Sequence, residues 1–280
     1  MGWLLEIVHE TRLHYQGSAR ASYNEARMTP LTLPTQAALQ TRVTVGNGIP
    51  VWAYQDYWGT RVSSFDIQAP HEELLVRSHS MVETMAAPPP PDPLSWAELR
   101  GQAEAGLAAE FLAATPRTTV DPALSAAARD LVAGADPVRT AAVIASWVRD
   151  RVAYVPGATE VQTGAQEAWD KGEGVCQDIA HLTVALFREA GLPARYVSGY
   201  LHPRPEAGIG KPVAGQSHAW VEYWVGTWVA ADPTNRAPVG ECHVVVARGR
   251  DYSDVPPLKG IYHGAPSMAM GVSVEVTRLA

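Results

Sequence analysis

The spacing of apolar residues along the chain changes near residue 90. Before that point, short alternating or β-branched runs favour strands; they extend from Trp3 to His9, Gln40 to Val45, Arg61 to Ile67 and Leu74 to Val82. After it, apolar residues first recur at helical spacing. We therefore expect a β-rich, sandwich-like N-terminal domain over residues 1–87. A proline-rich linker at 88–93 would join it to a mixed core over residues 94–280.

Helix start signals divide the first half of the core. Ser95 and Glu98 form a capping box. Asp121 and Asp136 each precede a proline, which is the order of an N-cap followed by proline at the first helical position. Thr163 is the expected cap of a shorter segment. The predicted helices span residues 95–114, 122–134, 137–152, 163–169 and 177–190.

Strand-like runs dominate the second half of the core. They extend from Ala194 to Leu201, Ser217 to Trp224, Thr227 to Asp232, His243 to Ala247 and Val272 to Thr277. Helices followed by strands indicate an α+β fold, with the helices packed on an antiparallel sheet.

Composition excludes several classes of protein. The 280 residues carry a net charge of −7 without a basic cluster, so we expect no nucleic-acid partner. Two cysteines cannot build a disulfide framework, and the first residues lack the pattern of a signal peptide. No apolar run reaches 18 residues, so we expect a cytoplasmic protein without a membrane partner. Zinc-protease, phosphate-loop and dinucleotide motifs do not occur, and we expect no metal or cofactor.

Cys176 follows a glycine-containing stretch and precedes the predicted helix 177–190. Unpaired N–H groups and the positive end of the dipole at a helix start stabilise a thiolate. A nucleophilic cysteine at that position is one interpretation. The alternative is a small apolar residue packed beneath the helix start, because free cysteines are often buried.

His218 and Asp232 lie on two strands of a predicted hairpin. A three-residue loop, Trp224 to Gly226, would pair Tyr223 with Thr227 and place His218 directly opposite Asp232. A two-residue loop would put them on opposite faces. A thiolate needs a base and the base needs an orienting group, so we predict a Cys176–His218–Asp232 triad. Zinc bound by the same three residues is an alternative that lacks an obvious fourth ligand.

These motifs resemble those of the bacterial transglutaminase-like proteins, within the superfamily of papain-like cysteine enzymes. The matching stretches are GVCQDIAHLTVALFREAGLPARYVSGYL, SHAWVEYW, WVAADPTN and HVVVARGRDYSDVPPLKGIYHG. The upstream HETRLHYQGSARASYNEARMTP and YQDYWGTRVSSFDI are similar to the β-rich region that precedes this family's core. The resemblance implies a papain-like core in which Cys176 is the nucleophile, His218 the base and Asp232 the orienting residue.

Other residues near the motifs have less specific assignments. Gln162, Trp169 and Gln177 are candidates for the second donor to an oxyanion. Asp178 and His181 follow the family pattern, and we interpret the first as a helix cap and the second as structural. Cys242 is expected to be a buried small residue.

The expected function is cysteine-dependent acyl transfer on the amide bond of a peptide or protein substrate, with hydrolysis favoured over transamidation. A non-catalytic module that binds peptides in the same cleft is the alternative. The resemblance also suggests a partner in a peptide-ligation pathway, since relatives are often encoded beside ATP-grasp-type ligases. The N-terminal β region could form a rim of the cleft or a docking surface.

Overall fold

The computed structural model describes residues 2–46, 48–89, 92, 94–106, 108–132, 134–159, 161–235 and 238–280, with the backbone alone at residue 268. Pro90, Pro91 and Pro93 of the predicted linker lie outside the described residues. The flanking Pro88 and Pro89 are exposed and belong to no helix or strand.

The described residues up to Thr84 form five strands. They are β1 (Trp3–Ala26), β2 (Gln36–Val45), β3 (Trp52–Gln55), β4 (Arg61–Ile67) and β5 (His71–Thr84). All pairings among them are antiparallel. The first half of β1 pairs with β5 and the second half with β4, with a register shift between His14 and Ala19. The expected sandwich-like region is thus one sheet built around a single long strand.

In the described part of residues 92–189, five α-helices and two short strands follow. They are α1 (Trp96–Glu104), α2 (Pro122–Asp130), α3 (Pro137–Arg151), β6 (Ala153–Tyr154), α4 (Ala165–Lys171), β7 (Glu173–Gly174) and α5 (Cys176–Glu189). In the part of the chain that the structure describes, no helix has the length and apolar character needed to span a membrane.

Three of the four predicted caps are confirmed, while the cap at Thr163 and two predicted helix ends were wrong. Ser95, Asp121 and Asp136 each accept a backbone hydrogen bond at the start of their helix. Helix α1 ends at Glu104, ten residues early, because the chain turns and then forms a separate 3-10 helix at Ala109–Phe111. Helix α2 ends at Asp130. The N-cap of α4 is Gly164, with Thr163 one position before it.

The last third of the chain is mainly strands. They are β8 (Ala194–Leu201), β9 (Pro212–Ala214), β10 (Gln216–Trp224), β11 (Trp228–Ala231), β12 (His243–Gly249), β13 (Leu258–Gly264) and β14 (Ser267–Arg278). Four of them form an antiparallel sheet in the order β11-β10-β8-β12. Helices that pack on this antiparallel sheet confirm the α+β class.

The C-terminal strands join the N-terminal sheet. Strand β14 pairs with the first half of β1, and β13 with its second half. The resulting eight-stranded sheet has the path β2-β5-β1-β14-β9, with β13, β4 and β3 attached beside it. Strands from both sides of the predicted 88–93 linker therefore share one sheet. The division into domains at that linker stays a prediction.

Helix α5 lies at the centre of the larger hydrophobic core. Ile179, Leu182 and Leu186 are fully buried and belong to a cluster that also contains Leu5 and Ile7 of β1. Gly191 follows the C-cap of the helix, Ala190, and its φ of +86° suits glycine; the N–H of Leu192 bonds back to the last turn. Packing on β8 and β10 of the four-stranded sheet fixes the direction of α5 and hence the position of its first residue, Cys176.

Candidate active site

Cys176 is the first residue of α5 and is partly buried. Asp178 caps this end, because its Oδ2 accepts hydrogen bonds from the Val175 N–H (2.8 Å) and from the Thr159 hydroxyl (2.5 Å). Burial raises the pKa of Asp178 above its ordinary value. The expected capping role is confirmed. The N–H groups of Cys176 and Gln177 belong to the first turn, where a helix offers them no carbonyl partner.

Gly174 allows the chain to pass close to the cap. A Cβ at this position would lie 2.8 Å from the Cβ of Asp178 and 3.0 Å from its Oδ2. Any larger residue would push the capping carboxylate away from the start of α5. Gly174 therefore has a steric role just before Cys176.

The hairpin of β10 and β11 differs from the predicted register by two residues. Trp224 pairs with Trp228 and Tyr223 with Val229, so the loop consists of residues 225–227. The two tryptophan rings contact each other edge-on, with centroids 5.5 Å apart, and the Val225 N–H closes the loop on the Thr227 carbonyl. The prediction that His218 lies directly opposite Asp232 was wrong, because it began the loop one residue too early.

The two side chains still meet. A shift of two residues keeps a side chain on the same face of a sheet. His218 Nε2 lies 2.8 Å from Asp232 Oδ2, and both residues are buried. Asp232 follows the last residue of β11, so it reaches His218 diagonally from just beyond the ladder.

Asp232 accepts hydrogen bonds from several groups. Its Oδ1 accepts the N–H groups of Thr234 (3.0 Å) and Asn235 (3.1 Å). Its Oδ2 accepts the Asn235 side-chain amide (2.8 Å) and lies 3.2 Å from Nε2 of a second histidine, His243. Burial acts to raise the pKa of Asp232, but the hydrogen bonds from His218 and His243 outweigh it and hold that pKa far below its usual range. The carboxylate stays charged.

His218 stands between the carboxylate and the thiol. Burial disfavours its charged form, yet hydrogen bonds to Asp232 and to Cys176, together with their charges, raise the pKa of His218 to about 9. Since Nε2 faces Asp232, the other ring nitrogen, Nδ1, is left for Cys176. The fold therefore favours the imidazolium form of His218 beside the Cys176 side chain.

Trp220 packs beneath this histidine. Its ring is stacked on that of His218 with the centroids 5.9 Å apart, and it contacts His243 edge-on at 5.3 Å. Gly199 makes room for it, since a Cβ there would lie 2.5 Å from the indole. The buried indole covers one side of the His218–Asp232 bond and keeps water from that side.

Sequence reasoning missed His243, which it treated only as the start of a strand. Its Nδ1 accepts the Gly240 N–H (3.3 Å), so Nε2 carries the proton and donates to Asp232.

A metal ion could bridge the spacing between three side chains at this site. Each offers one ligand atom, and these atoms lie within 4.8 Å of one another; the residues are His218, Asp232 and His243. Hydrogen bonds already occupy the carboxylate. The alternative zinc set is not gathered at one point, because opposite ring nitrogens of His218 face Asp232 and Cys176.

Comparison with known proteins places these residues in a family. A model of the transglutaminase-like superfamily matches residues 125–233, and one of the bacterial transglutaminase-like N-terminal region matches residues 5–83. An uncharacterized protein of Mycobacterium leprae is 42% identical over 278 residues, covering 99% of this chain and all of that protein. The chain belongs to the transglutaminase-like superfamily.

Two further similarities are more limited. A protein-glutamine gamma-glutamyltransferase of Pseudomonas aeruginosa is 32% identical over 105 residues, which is 34% of this chain and 15% of that enzyme. A crystal structure from Cytophaga hutchinsonii, provisionally classed as a cysteine protease, covers all of this chain with a TM-score of 0.76 at 22% identity, and 93% of that protein aligns. At that identity the match supports the transglutaminase-like fold alone.

The three candidates for the second oxyanion donor lie in different places. Gln162 is exposed, and its Oε1 accepts a hydrogen bond from Arg117 (2.8 Å). Trp169 is stacked on Trp147, with centroids 4.9 Å apart. Neither lines the cavity beside Cys176. Gln177 does line it, although its side-chain amide donates to the Val161 carbonyl (3.1 Å).

Tyr154 is a further residue near the thiol that sequence reasoning missed. It lies on β6, opposite Gly174 of β7, which leads into Cys176. Burial and the charge of Cys176 raise the pKa of Tyr154, so its hydroxyl keeps its proton at neutral pH. A protonated phenol is a hydrogen-bond donor. The parallel pairing of β6 with β7, which no local pattern signals, places Tyr154 beside the stretch that leads into Cys176.

His181 has the structural role that was expected, while Cys242 is less buried than expected. His181 is buried, its Nε2 accepts the Tyr252 N–H (3.1 Å), and burial lowers its pKa to about 3. It is a neutral structural residue. Cys242 is a free, partly buried thiol whose pKa is raised by burial.

A cavity of about 330 Å³ opens beside Cys176 and His218. One side is formed by β8 and β10 of the four-stranded sheet, including Ser198 and Ser217. The opposite side includes His9 and Thr11 of β1. The N-terminal sheet therefore contributes directly to the space in front of the thiol.

Proposed function

We propose that this chain is a cysteine-dependent acyltransferase that acts on amide bonds, with water as the favoured acceptor. The observation that supports this most is the His218 ring, which hydrogen-bonds Asp232 on one side and the Cys176 thiol on the other. Both Cys176 and His218 line one cavity. A nucleophile, a base and an orienting carboxylate in this order are what acyl transfer requires.

The reaction follows from these positions. The Cys176 thiolate attacks the amide carbon, and the tetrahedral oxyanion is stabilised by N–H groups at the start of α5. The His218 imidazolium gives its proton to the leaving amine as the C–N bond breaks, which leaves an acyl-thioester on Cys176. His218 then takes a proton from water, the hydroxide adds to the thioester, and the acid leaves as the thiolate returns.

Transamidation is the second candidate, because a segment of the chain is similar to the Pseudomonas gamma-glutamyltransferase. In that case a primary amine replaces water in the second half of the reaction. Cys176 is partly exposed, so water has access to the thioester. This favours hydrolysis.

The experiment is the rate of Cys176 alkylation by iodoacetamide from pH 4 to 10. An ordinary thiol has a pKa of about 8.5 and loses reactivity tenfold per pH unit below it. We expect Cys176 to react at pH 6 within a few-fold of its rate at pH 8, because His218 stays protonated up to about pH 9. In His218→Ala, the rate at pH 6 should fall by at least about tenfold.

Mass mapping separates Cys176 from Cys242, which serves as the internal control in every sample. Equal profiles for Cys176 in the wild type and in His218→Ala would contradict the proposal and favour a non-catalytic peptide-binding module. For the acceptor, peptide amides are incubated with and without a primary amine. Free acid as the main product in the presence of amine supports hydrolysis, and amine adducts support transamidation.

A further inference from the structure

The wall of the cavity formed by the N-terminal sheet is a row of side chains on one face of the β1–β14 ladder. Thr11 pairs with Val272, and Leu13 with Met270. Directly opposite residues share a face of an antiparallel pair, as do residues two apart on one strand. The cavity is accordingly lined by four residues of this face, His9, Thr11, Met270 and Val272.

This wall is fixed to the four-stranded sheet by a buried hydrogen-bond chain. The Tyr200 hydroxyl donates to the Met28 carbonyl (3.2 Å), so it accepts from His9 Nδ1 (2.9 Å). The Thr11 hydroxyl then donates to His9 Nε2 (3.2 Å). Burial lowers the pKa of His9 to about 4. The histidine is therefore neutral near pH 7, and the wall has a defined position relative to His218.

The cavity surface has an apolar mouth and few charges. Aside from the Cys176–His218 pair, the described lining residues include no aspartate, glutamate, lysine or arginine. Met270 and Val272 are 59% and 50% exposed although both are apolar. Pro257 and Leu258 also line the cavity. Apolar surface is exposed beside the reactive thiol, and covering it with a substrate lowers the free energy of the complex.

We propose that this cavity binds the acyl side of the substrate and selects donors with an uncharged, apolar side chain next to the amide bond. The inference rests on the proposed acyl-transfer function. A charged side chain would lose its hydration there without gaining a partner. The volume of about 330 Å³ lies at the lower end of small-molecule sites, which fits one or two side chains. Strands β1 and β14 would then serve as the specificity wall.

The test compares peptidyl amides that share one fluorogenic amine leaving group and differ only in the acyl residue, leucine, glutamate or lysine. We expect kcat/KM for the leucine donor to exceed both charged donors by at least about tenfold. Met270→Lys should lower the leucine-to-glutamate ratio about tenfold, and Val272→Glu should lower the leucine-to-lysine ratio similarly, by the attraction of a nearby opposite charge. Both positions are exposed, so the substitutions leave the core unchanged.

Ile261→Lys is the matched control. Ile261 is a 73% exposed apolar residue on β13 that does not line the cavity. The Ile261→Lys variant introduces the same charge as Met270→Lys on a neighbouring strand. It should leave the kcat/KM ratios between donors within about twofold of the wild type. If all donors are turned over and neither Met270→Lys nor Val272→Glu changes the kcat/KM ratios, the specificity wall is overturned. The acyl-transfer proposal would still stand.

A second readout separates the two proposals. Cys176 is alkylated with an aromatic haloacetamide and with iodoacetate, and the rate ratio is compared with that of Cys242. A preference for the aromatic reagent that is specific to Cys176 and reduced in Met270→Lys supports the wall even if no amide is turned over. A ratio equal to that of Cys242 in the wild type contradicts it.

Discussion

At the scale of single residues, the site depends on how tightly Asp232 is held. Its two oxygens accept from backbone N–H groups, an asparagine amide and two histidines. A carboxylate with this many donors cannot rotate without breaking several of them. Its direction then fixes the ring of His218, and with it the nitrogen that faces Cys176. His243 contributes to this arrangement without facing the cavity.

His243→Phe should lower kcat/KM about tenfold, because one hydrogen bond to a charged group contributes about 1.5 kcal/mol and each 1.4 kcal/mol changes a rate tenfold. His243→Gln should retain most of the activity, since its amide can donate to Asp232. The measurement is the pH–rate profile of both variants, with urea unfolding to confirm that they are folded. Equal activity losses in both variants would indicate a packing role for His243 instead of an orienting one.

At the scale of elements, the four-stranded sheet carries a buried charge cluster on β10. Glu222 is buried opposite Arg195 of β8, whose Nε donates to Glu222 Oε2 (2.6 Å). Glu222 Oε1 accepts from Arg248 of β12 (2.8 Å). Burial acts to raise the pKa of Glu222, but the two guanidinium groups outweigh it and lower that pKa. The cluster ties together the three strands that position His218 and His243.

Glu222→Gln should destabilise the protein by about 3 kcal/mol, because removing one partner leaves two largely buried cations uncompensated. The measurement is urea unfolding near pH 7, with the exposed Glu72→Gln as the control, expected within about 0.5 kcal/mol of the wild type. A depressed pKa means that the contribution of the charge is lost as the pH falls. The difference between Glu222→Gln and the wild type should therefore narrow below about pH 4.3. A difference independent of pH would show that the charge is not responsible.

The elements also show which structure can be predicted from sequence. Asp121, Asp136 and Gly191 were informative, because a cap or a left-handed glycine acts within one turn of the chain. The predicted position of the hairpin loop was wrong. Two registers compete, one with a glycine bulge at Gly226 and one with Trp224 paired to Trp228, and packing decides between them. Cys176, His218 and Asp232 carried recognisable motifs. Nothing local, however, signals that His243 reaches Asp232 or that β14 returns to β1 beside the thiol.

At the scale of the whole molecule, the two predicted domains share a sheet and a core. Strand β1 pairs with β5 on one side and with the C-terminal β14 on the other. Leu5 and Ile7 of β1 belong to the same buried cluster as Leu182 of α5. An opening of the N-terminal sheet would therefore disrupt the buried cluster that contains α5, whose first residue is the proposed nucleophile.

This arrangement predicts one cooperative unfolding transition for the N-terminal sheet and α5. Pulse-labelled hydrogen exchange along a urea series, read by mass spectrometry, should give the same midpoint for peptides from β5 and from α5. Leu5→Ala should lower both midpoints together, because Leu5 is fully buried. The corresponding loss in the free energy of unfolding is about 2–5 kcal/mol. Leu39→Ala on β2, where the side chain is 58% exposed, should move neither. A shift confined to β5 would mean that residues 1–87 unfold independently, and that the specificity wall can detach from the catalytic core.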